Sequence, residues 1–250
     1  MDVTTTNLLL AFAVMLLGGA VQGATGFGSG LVSVGLLATV LARGGGGEVG
    51  VRDASIIFCL PAWTVCLAML LRLRRHVRWR RVWPMLLAVL AGIPLGVWFL
   101  VRADERTLEI VLGVVMLVAV VYNLIPHLAR RPWHPLWVGV PCGLLGGALG
   151  GAFSTGGPPI VAYVSTQGFD RLRFAGTLQA IFMASTTFRL IELLRRGLLT
   201  PPRLACGAVG IAAILIGATL GLRVLRRISD RWFRWVVIAM LLVLGVRYLW

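Results

Sequence analysis

Lysine is absent from this 250-residue chain, so all 24 of its basic residues are arginines, set against nine carboxylates and three histidines. No GxxxxGK[ST] phosphate loop exists, which argues against ATP drive. The four cysteines, Cys59, Cys66, Cys142 and Cys206, are scattered inside apolar runs. They form no CxxC pair and no Cys/His cluster, so neither a zinc site nor a redox pair is expected, and they read as small buried hydrophobes. His76, His127 and His134 fall in links between apolar runs, and "AFSTG" (152–156) lacks the first glycine of a GxSxG elbow. An intramembrane serine hydrolase therefore finds neither base nor nucleophile turn. No enzyme, metal or cofactor is expected. Mid-span carboxylates are missing as well. Asp53, Asp104, Glu105, Glu109, Asp170, Glu192 and Asp230 all sit at segment ends or in links, leaving no proton relay at membrane depth. The opening "MDVTTTNLLL" has Asp2 where a secretory signal carries positive charge, so the first apolar segment is expected in the mature protein.

What the chain does have is apolar mass. Hydrophobic residues make up 58% of it and mean hydropathy is +0.90, against roughly 45–50% apolar residues in soluble domains. Apolar stretches recur at about the 17–25 residues that cross a ~30 Å hydrocarbon core. An all-α polytopic membrane protein follows. The net charge of +15 does not imply nucleic acid, because the arginines crowd into short links such as "RLRRHVRWRR" (72–81). Basic links flanking spans are cytoplasmic topology signals. Trp79, Trp83, Trp133, Trp137, Trp232, Trp235 and Trp250 lie near span ends and read as interfacial anchors.

The segments form two sets of four: 8–41, 53–71, 82–101 and 108–125, then 136–168, 174–194, 204–222 and 232–249. Each set opens with a glycine-interrupted segment. A shift of 128 residues lays "LLGGAVQGATGFG" (16–28) over "LLGGALGGAFSTG" (144–156) with eight of thirteen positions identical. Two membrane repeats are expected, 1–125 and 126–250, within one integral domain. The apolar pieces around the glycines (8–21, 31–41, 136–149 and 160–168) read as too short to cross alone. Each opening segment therefore either crosses with an unwound middle or enters and returns on one side. If all eight segments cross, the arginines divide 12 inside and 11 outside. With segments 1 and 5 as hairpins they divide 15 to 8. The positive-inside rule favours hairpins, which also makes the two repeats inverted, an arrangement recurrent in secondary transporters.

Irregular backbone at membrane depth is tolerated only where it is buried in protein or lines a cavity. The returning half-helices would begin there with free N–H groups and a positive dipole end, which is an anion site. Ser29 or Ser33 is expected to cap the first return helix, and Pro158 and Pro159 suit the first turn of the second. The residues expected at the site are Gln22, Gly23, Thr25, Gly26, Gly28, Ser29 and Gly30 at the first break. Gly151, Ser154, Thr155, Gly156, Gly157 and Pro158 are expected at the second, with Gln179 and Arg189 from a later segment. A rival reading exists for the glycines. The pairs 19/23, 26/30, 146/150 and 147/151 all make GxxxG spacings, which taken singly mean close helix packing. Their recurrence at corresponding points, beside Ser, Thr and tandem Pro, favours a site.

The stretches "GGAVQGATGFGSGLVSV" and "GGALGGAFSTGGPPIVAYV", each opening a four-segment half, resemble the sulfite exporter TauE/SafE family of membrane permeases. The resemblance implies a permease of the bacterial inner membrane moving sulfur oxyanions or small organosulfonates such as sulfite, thiosulfate or a sulfoacetate-like anion, mostly outward. The first stretch departs from the second, with "GFGSGL" in place of "STGGPP" and no proline, so the two half-sites are expected to differ in shape. Export fits the lack of a proton relay, because an inside-negative potential supplies ~2.3 kcal/mol per charge per 100 mV. An anion channel, an ion-coupled uptake permease and a membrane subunit of a larger assembly stay open as alternatives. Arg189, in "ASTTFRLIELLRR" (184–196), is a binding candidate that can equally snorkel to the interface or pair with Glu192. The expected partners are a small anion and the bilayer; a homo-oligomer is left open.

Overall fold

The structure is a computed structural model that describes residues 5–44, 50–124, 134–224 and 230–250. Among these residues all regular structure is helical. The first half contains α1 (Thr5–Thr25), α2 (Ser29–Gly44), α3 (Val51–Ile57), α4 (Cys59–Leu73), α5 (Trp79–Arg102) and α6 (Glu105–Leu124). The second contains α7 (Val140–Phe153), entered through one π-type turn at Pro135–Gly139, then α8 (Gly157–Ser165), α9 (Arg171–Arg195), α10 (Pro201–Val224) and α11 (Asp230–Leu249). Among the described residues five stretches are long and apolar enough to cross a membrane: Leu8–Thr25, Val51–His76, Trp79–Arg102, Leu136–Phe153 and Pro201–Arg223. The protein is multi-pass. Trp79, Trp83, Trp137, Trp235 and Trp250 are exposed, while Trp133 and Trp232 lie outside the described side chains.

The expectation that the pieces before the glycines are too short to cross is corrected here. Helix continues through Gly18, Gly19 and Gly23 to Thr25, and through Gly146, Gly147 and Gly151 to Phe153. The backbone opens only at 26–28 and 154–156, three residues each, and the two openings are offset by the same 128 residues as the sequence match. Most of the glycines serve contact. Gly19 and Gly23 press α1 onto the carbonyls of Ile214 and Ala218 in α10, while Gly217 and Gly221 of α10 receive those of Leu16 and Ala20. The second half repeats the seam. Gly147 and Gly151 of α7 meet the carbonyls of Val89 and Ile93 in α5, and Gly92 and Gly96 receive those of Leu144 and Ala148. A methyl group at any of these eight positions would overlap a backbone oxygen, so backbone-to-backbone approach selects glycine, as in membrane helix pairs generally.

Each break is the bend of a helical hairpin. Gly18 lies against Ser33 in the first pair, and Gly146 lies against Ile160 in the second. A straight-through segment would hold Gly18 and Ser33 more than ~15 Å apart at 1.5 Å per residue. The α3–α4 junction is a smaller interruption. Pro61 has no N–H for the carbonyl of Ile57, and Gly207 of α10 comes up against that oxygen.

Polar contacts gather the links at two ends of the bundle. At one end Arg203 pairs with Asp53, Arg52 donates to the carbonyls of Leu100 and Ala103, and Arg106 donates to that of Leu249 (3.1 Å). Asp104 belongs to this end too. The hydroxyl and N–H of Thr107 donate to its carboxylate and hold it below the usual range. At the other end Arg81 donates to the carbonyl of Gln167 (3.1 Å), and the Arg78 N–H donates to Thr177 (3.2 Å).

Candidate anion site

The two breaks, far apart in sequence, touch. Gly30, in the first turn of α2, lies against the carbonyl of Ser154, and Phe27 of the first break packs at 3.4 Å from where a Gly157 side chain would begin. Between them is a small cavity with about 50 Å³ of room for the centres of water-sized groups, against roughly 10–15 Å³ for a single water. Ser29, Ser154, Thr155 and Ser185 supply its hydroxyls, and Phe27, Phe58 and Phe182 its aromatic wall. Phe182 and Ser185 stand at the middle of α9, so the cavity lies midway between the two ends of the bundle.

At the first break, left-handed backbone at Gly26 (φ 82°) and Gly28 (φ 91°) turns the chain, a conformation that costs a side-chain-bearing residue ~1–2 kcal/mol. Gln22, in the last turn of α1, reaches across. Its Oε1 accepts from the Ser29 hydroxyl (2.9 Å) and from the Ser29 N–H (3.4 Å). The cap on α2 is therefore Gln22, not Ser29 or Ser33; Ser29 is the donor, and Ser33 Oγ is buried without a partner. Gln179 of α9 closes the break from outside, donating to the Gly26 carbonyl at 2.7 Å.

The second break is finished differently. Ser154 takes the left-handed conformation (φ 57°) as the C-cap of α7. Gly156 begins α8 with no side-chain cap, and Pro158 and Pro159 fill its first turn, where their missing N–H groups cost nothing. The first-turn N–H groups of a helix have no acceptor within it, so the positive end of α8 faces the cavity uncapped. Thr155 is 3% exposed and its Oγ1 has no partner.

Arg189 stands behind this break. It is 1% exposed, so it does not snorkel, and Glu192 pairs with Arg196 (2.7 Å) instead. All five guanidinium N–H groups have acceptors. Nε donates to the Gly151 carbonyl (2.8 Å), one terminal nitrogen to the Ser55 carbonyl (3.2 Å) and the Ser154 hydroxyl, the other to the Ser55 hydroxyl (2.6 Å) and the Ala152 carbonyl (3.3 Å). Ser55 passes its own proton to the Ala152 carbonyl (2.6 Å). No carboxylate is among these partners. A cation here offsets the negative end of α7, whose last carbonyls converge on it.

Of the residues expected at the site, Gln22, Gly28, Ser29, Gly30, Ser154, Thr155, Gly156, Gly157 and Pro158 line the cavity. Gly23 and Gly151 face the interhelix seams. Thr25 holds the start of the break without lining the cavity: its hydroxyl is shared between the carbonyls of Val21 (2.8 Å) and Phe27, and it accepts from the Phe27 N–H (3.3 Å). Gly26 presents its carbonyl to Gln179, and Arg189 reaches the cavity edge only through Ser154. Thr186 and Thr187 bond their own helix, and Thr187 also receives the Trp63 indole N–H (3.0 Å). Ser55, Cys66 and Ser185 were not legible as site residues: Ser55 and Cys66 stand in no motif, and Ser185 opens a Ser-Thr-Thr run whose cavity-facing member no periodicity singles out.

Two helical hairpins, sealed against long apolar helices and meeting at a small polar cavity, are the build of a membrane permease. The chain belongs to the sulfite exporter TauE/SafE family, which it matches over residues 11–248. No curated protein and no solved structure matches it.

Proposed function

We propose that this permease carries small sulfur-containing anions (sulfite, thiosulfate or a short sulfonate) and exports them across the bacterial inner membrane with the membrane potential. The observation that carries the reading is the second break: an uncapped helix N-terminus and a buried unpartnered hydroxyl on Thr155 face the cavity, and an arginine with no carboxylate among its partners stands behind them, tied to the lining through Ser154. Preorganised N–H and O–H donors suit an oxyanion. In this reading the hairpins α1–α2 and α7–α8 are re-entrant from opposite faces and the halves are inverted repeats. Joining 50–53 with 198–203, and 78–81 with 167–177, supports that topology. An eight-crossing path would put the members of each pair on opposite sides of the membrane.

The test is flux from proteoliposomes loaded in turn with sulfite, thiosulfate and methanesulfonate, under a potassium–valinomycin potential imposed and then reversed. Gly157→Ala is the control variant. Its methyl group would meet Phe27 at ordinary contact distance, so it shrinks the cavity without breaking the backbone. Saturable flux that follows the potential and falls in Gly157→Ala is the expected result. Flux of none of the three anions from folded protein would overturn the reading, and flux driven by a pH gradient at fixed potential would overturn its energetics.

A further inference from the structure

From the Arg189–Ser55–Ser154 cluster we infer that Ser154 is the anion's charge-assisted donor and that Arg189 is a positioning residue which never touches the anion. The inference rests on the anion-permease reading and names the groups that would do the recognising. A guanidinium has five N–H donors and no acceptor. Here all five are spent on Gly151, Ala152, Ser55 and Ser154, leaving none for a ligand. A hydroxyl that accepts from such a cation still has its own proton to give. Ser154 gives that proton to no described residue, and it lines the cavity. Its neighbour Thr155 presents the second unspent hydroxyl, buried and partnerless in the same wall. Accepting from Arg189 polarises the Ser154 O–H, since hydrogen bonds in a chain strengthen one another where water is excluded. The positive charge is thus delivered to the cavity as a donor pointed at the anion, while the cation stays behind the wall.

The backbone supports this assignment. Ser154 holds a left-handed conformation that glycine adopts freely and that is held elsewhere only where the surroundings over-determine it. The matching position of the first break, 128 residues earlier, is Gly26, also left-handed. A serine there makes conformational sense only if its hydroxyl is used. Ser55, in the second turn of α3, completes the cage by accepting from Arg189 with both its carbonyl and its hydroxyl.

Ser154→Gly separates this role from a structural one, because glycine fits the dihedral and removes only the hydroxymethyl group. The measurement is calorimetric titration of the full chain in nanodiscs with sulfite, thiosulfate, methanesulfonate, nitrate and bromide, alongside thermal unfolding. Ser154→Gly is expected to unfold close to the parent's temperature, because relief of the left-handed backbone offsets the Arg189 N–H left without an acceptor, and to bind roughly 10- to 100-fold more weakly, the scale of one hydrogen bond to a charged group. Ser154→Asn, which tolerates the left-handed region and can accept from Arg189 while donating onward, is expected to recover most of that loss. Adding Arg189→Gln to Ser154→Gly is expected to cost less than about threefold more, since the charge acts through the hydroxyl and the two changes share one interaction. Parent-like affinity in Ser154→Gly would overturn the inference, as would full additivity in the double variant. A parent that binds nitrate or bromide but none of the sulfur anions, with the same loss in Ser154→Gly, would keep the relay and sink the sulfur-anion reading. A parent that binds none of the five would sink both.

Discussion

The breaks at 26–28 and 154–156 occupy the same place in their halves, yet one is finished with neutral groups and the other with a charge. The first obtains its dihedrals from Gly26 and Gly28, and the polar atoms around it mostly satisfy one another: Gln22 caps Ser29, and Gln179 holds the Gly26 carbonyl. At the second, a strained serine is tied to a buried arginine, and the following helix is left uncapped behind two prolines. One helix clamps both. Gln179 and Arg189 lie ten residues apart on α9, about 15 Å along its axis. The comparison teaches that symmetric backbone does not require symmetric chemistry. The first hairpin reads as a closed wall, and the second holds the donors still open to a ligand.

Removing the clamps should expose this difference most strongly. Arg189→Leu strands several buried carbonyls and hydroxyls at once, each of which costs ~1–3 kcal/mol when left unpaired. The expected outcome is loss of monodisperse protein on size-exclusion chromatography. Gln179→Leu leaves the Gly26 carbonyl only the longer bond from Gln22 (3.4 Å) and should cost ~1 kcal/mol in thermal unfolding. Equal damage from both would erase the contrast between charged and neutral clamps.

The seams should behave alike where the breaks do not. Gly96→Ala and Gly217→Ala each drive a methyl group into a facing carbonyl, and overpacking of that kind costs ~1–3 kcal/mol. Similar falls in unfolding temperature are expected for the two variants; a silent seam would show that the halves are not packed equivalently. A smaller effect separates the two breaks again. At Gly28 an added Cβ meets nothing closer than Val21 at 3.6 Å, so Gly28→Ala should cost only the ~1–2 kcal/mol of the left-handed backbone. Ser154→Gly should change the same assay little, since the relieved left-handed backbone offsets the Arg189 N–H left without an acceptor. Also small is Arg203→Gln. It breaks a partly buried pair with Asp53 at one end of the bundle, the two side chains 22% and 25% exposed, for an expected loss of ~1 kcal/mol that shrinks in salt.

Much of the molecule was legible from local pattern. Apolar length marked the spans, and the 128-residue offset of two glycine-rich stretches placed the breaks in corresponding positions. Nine of the fifteen residues named for the site line the cavity. The exceptions are instructive. Gly23 and Gly151 were grouped with the breaks because a glycine that admits a carbonyl and a glycine that bends the chain look the same in sequence. α7 is apolar on every side, so no periodicity tells which face meets α5 and which meets the cavity.

What the sequence determined by itself was the solvent, the helical class and the two places where helix gives way, because hydropathy and backbone freedom are properties of neighbouring residues. Only the tertiary structure decided which glycines bend and which pack, which break is left uncapped, and what Arg189 does. Its partners Gly151 and Ser55 lie 38 and 134 residues away, and a buried cation takes its role from whatever acceptors the fold brings to it.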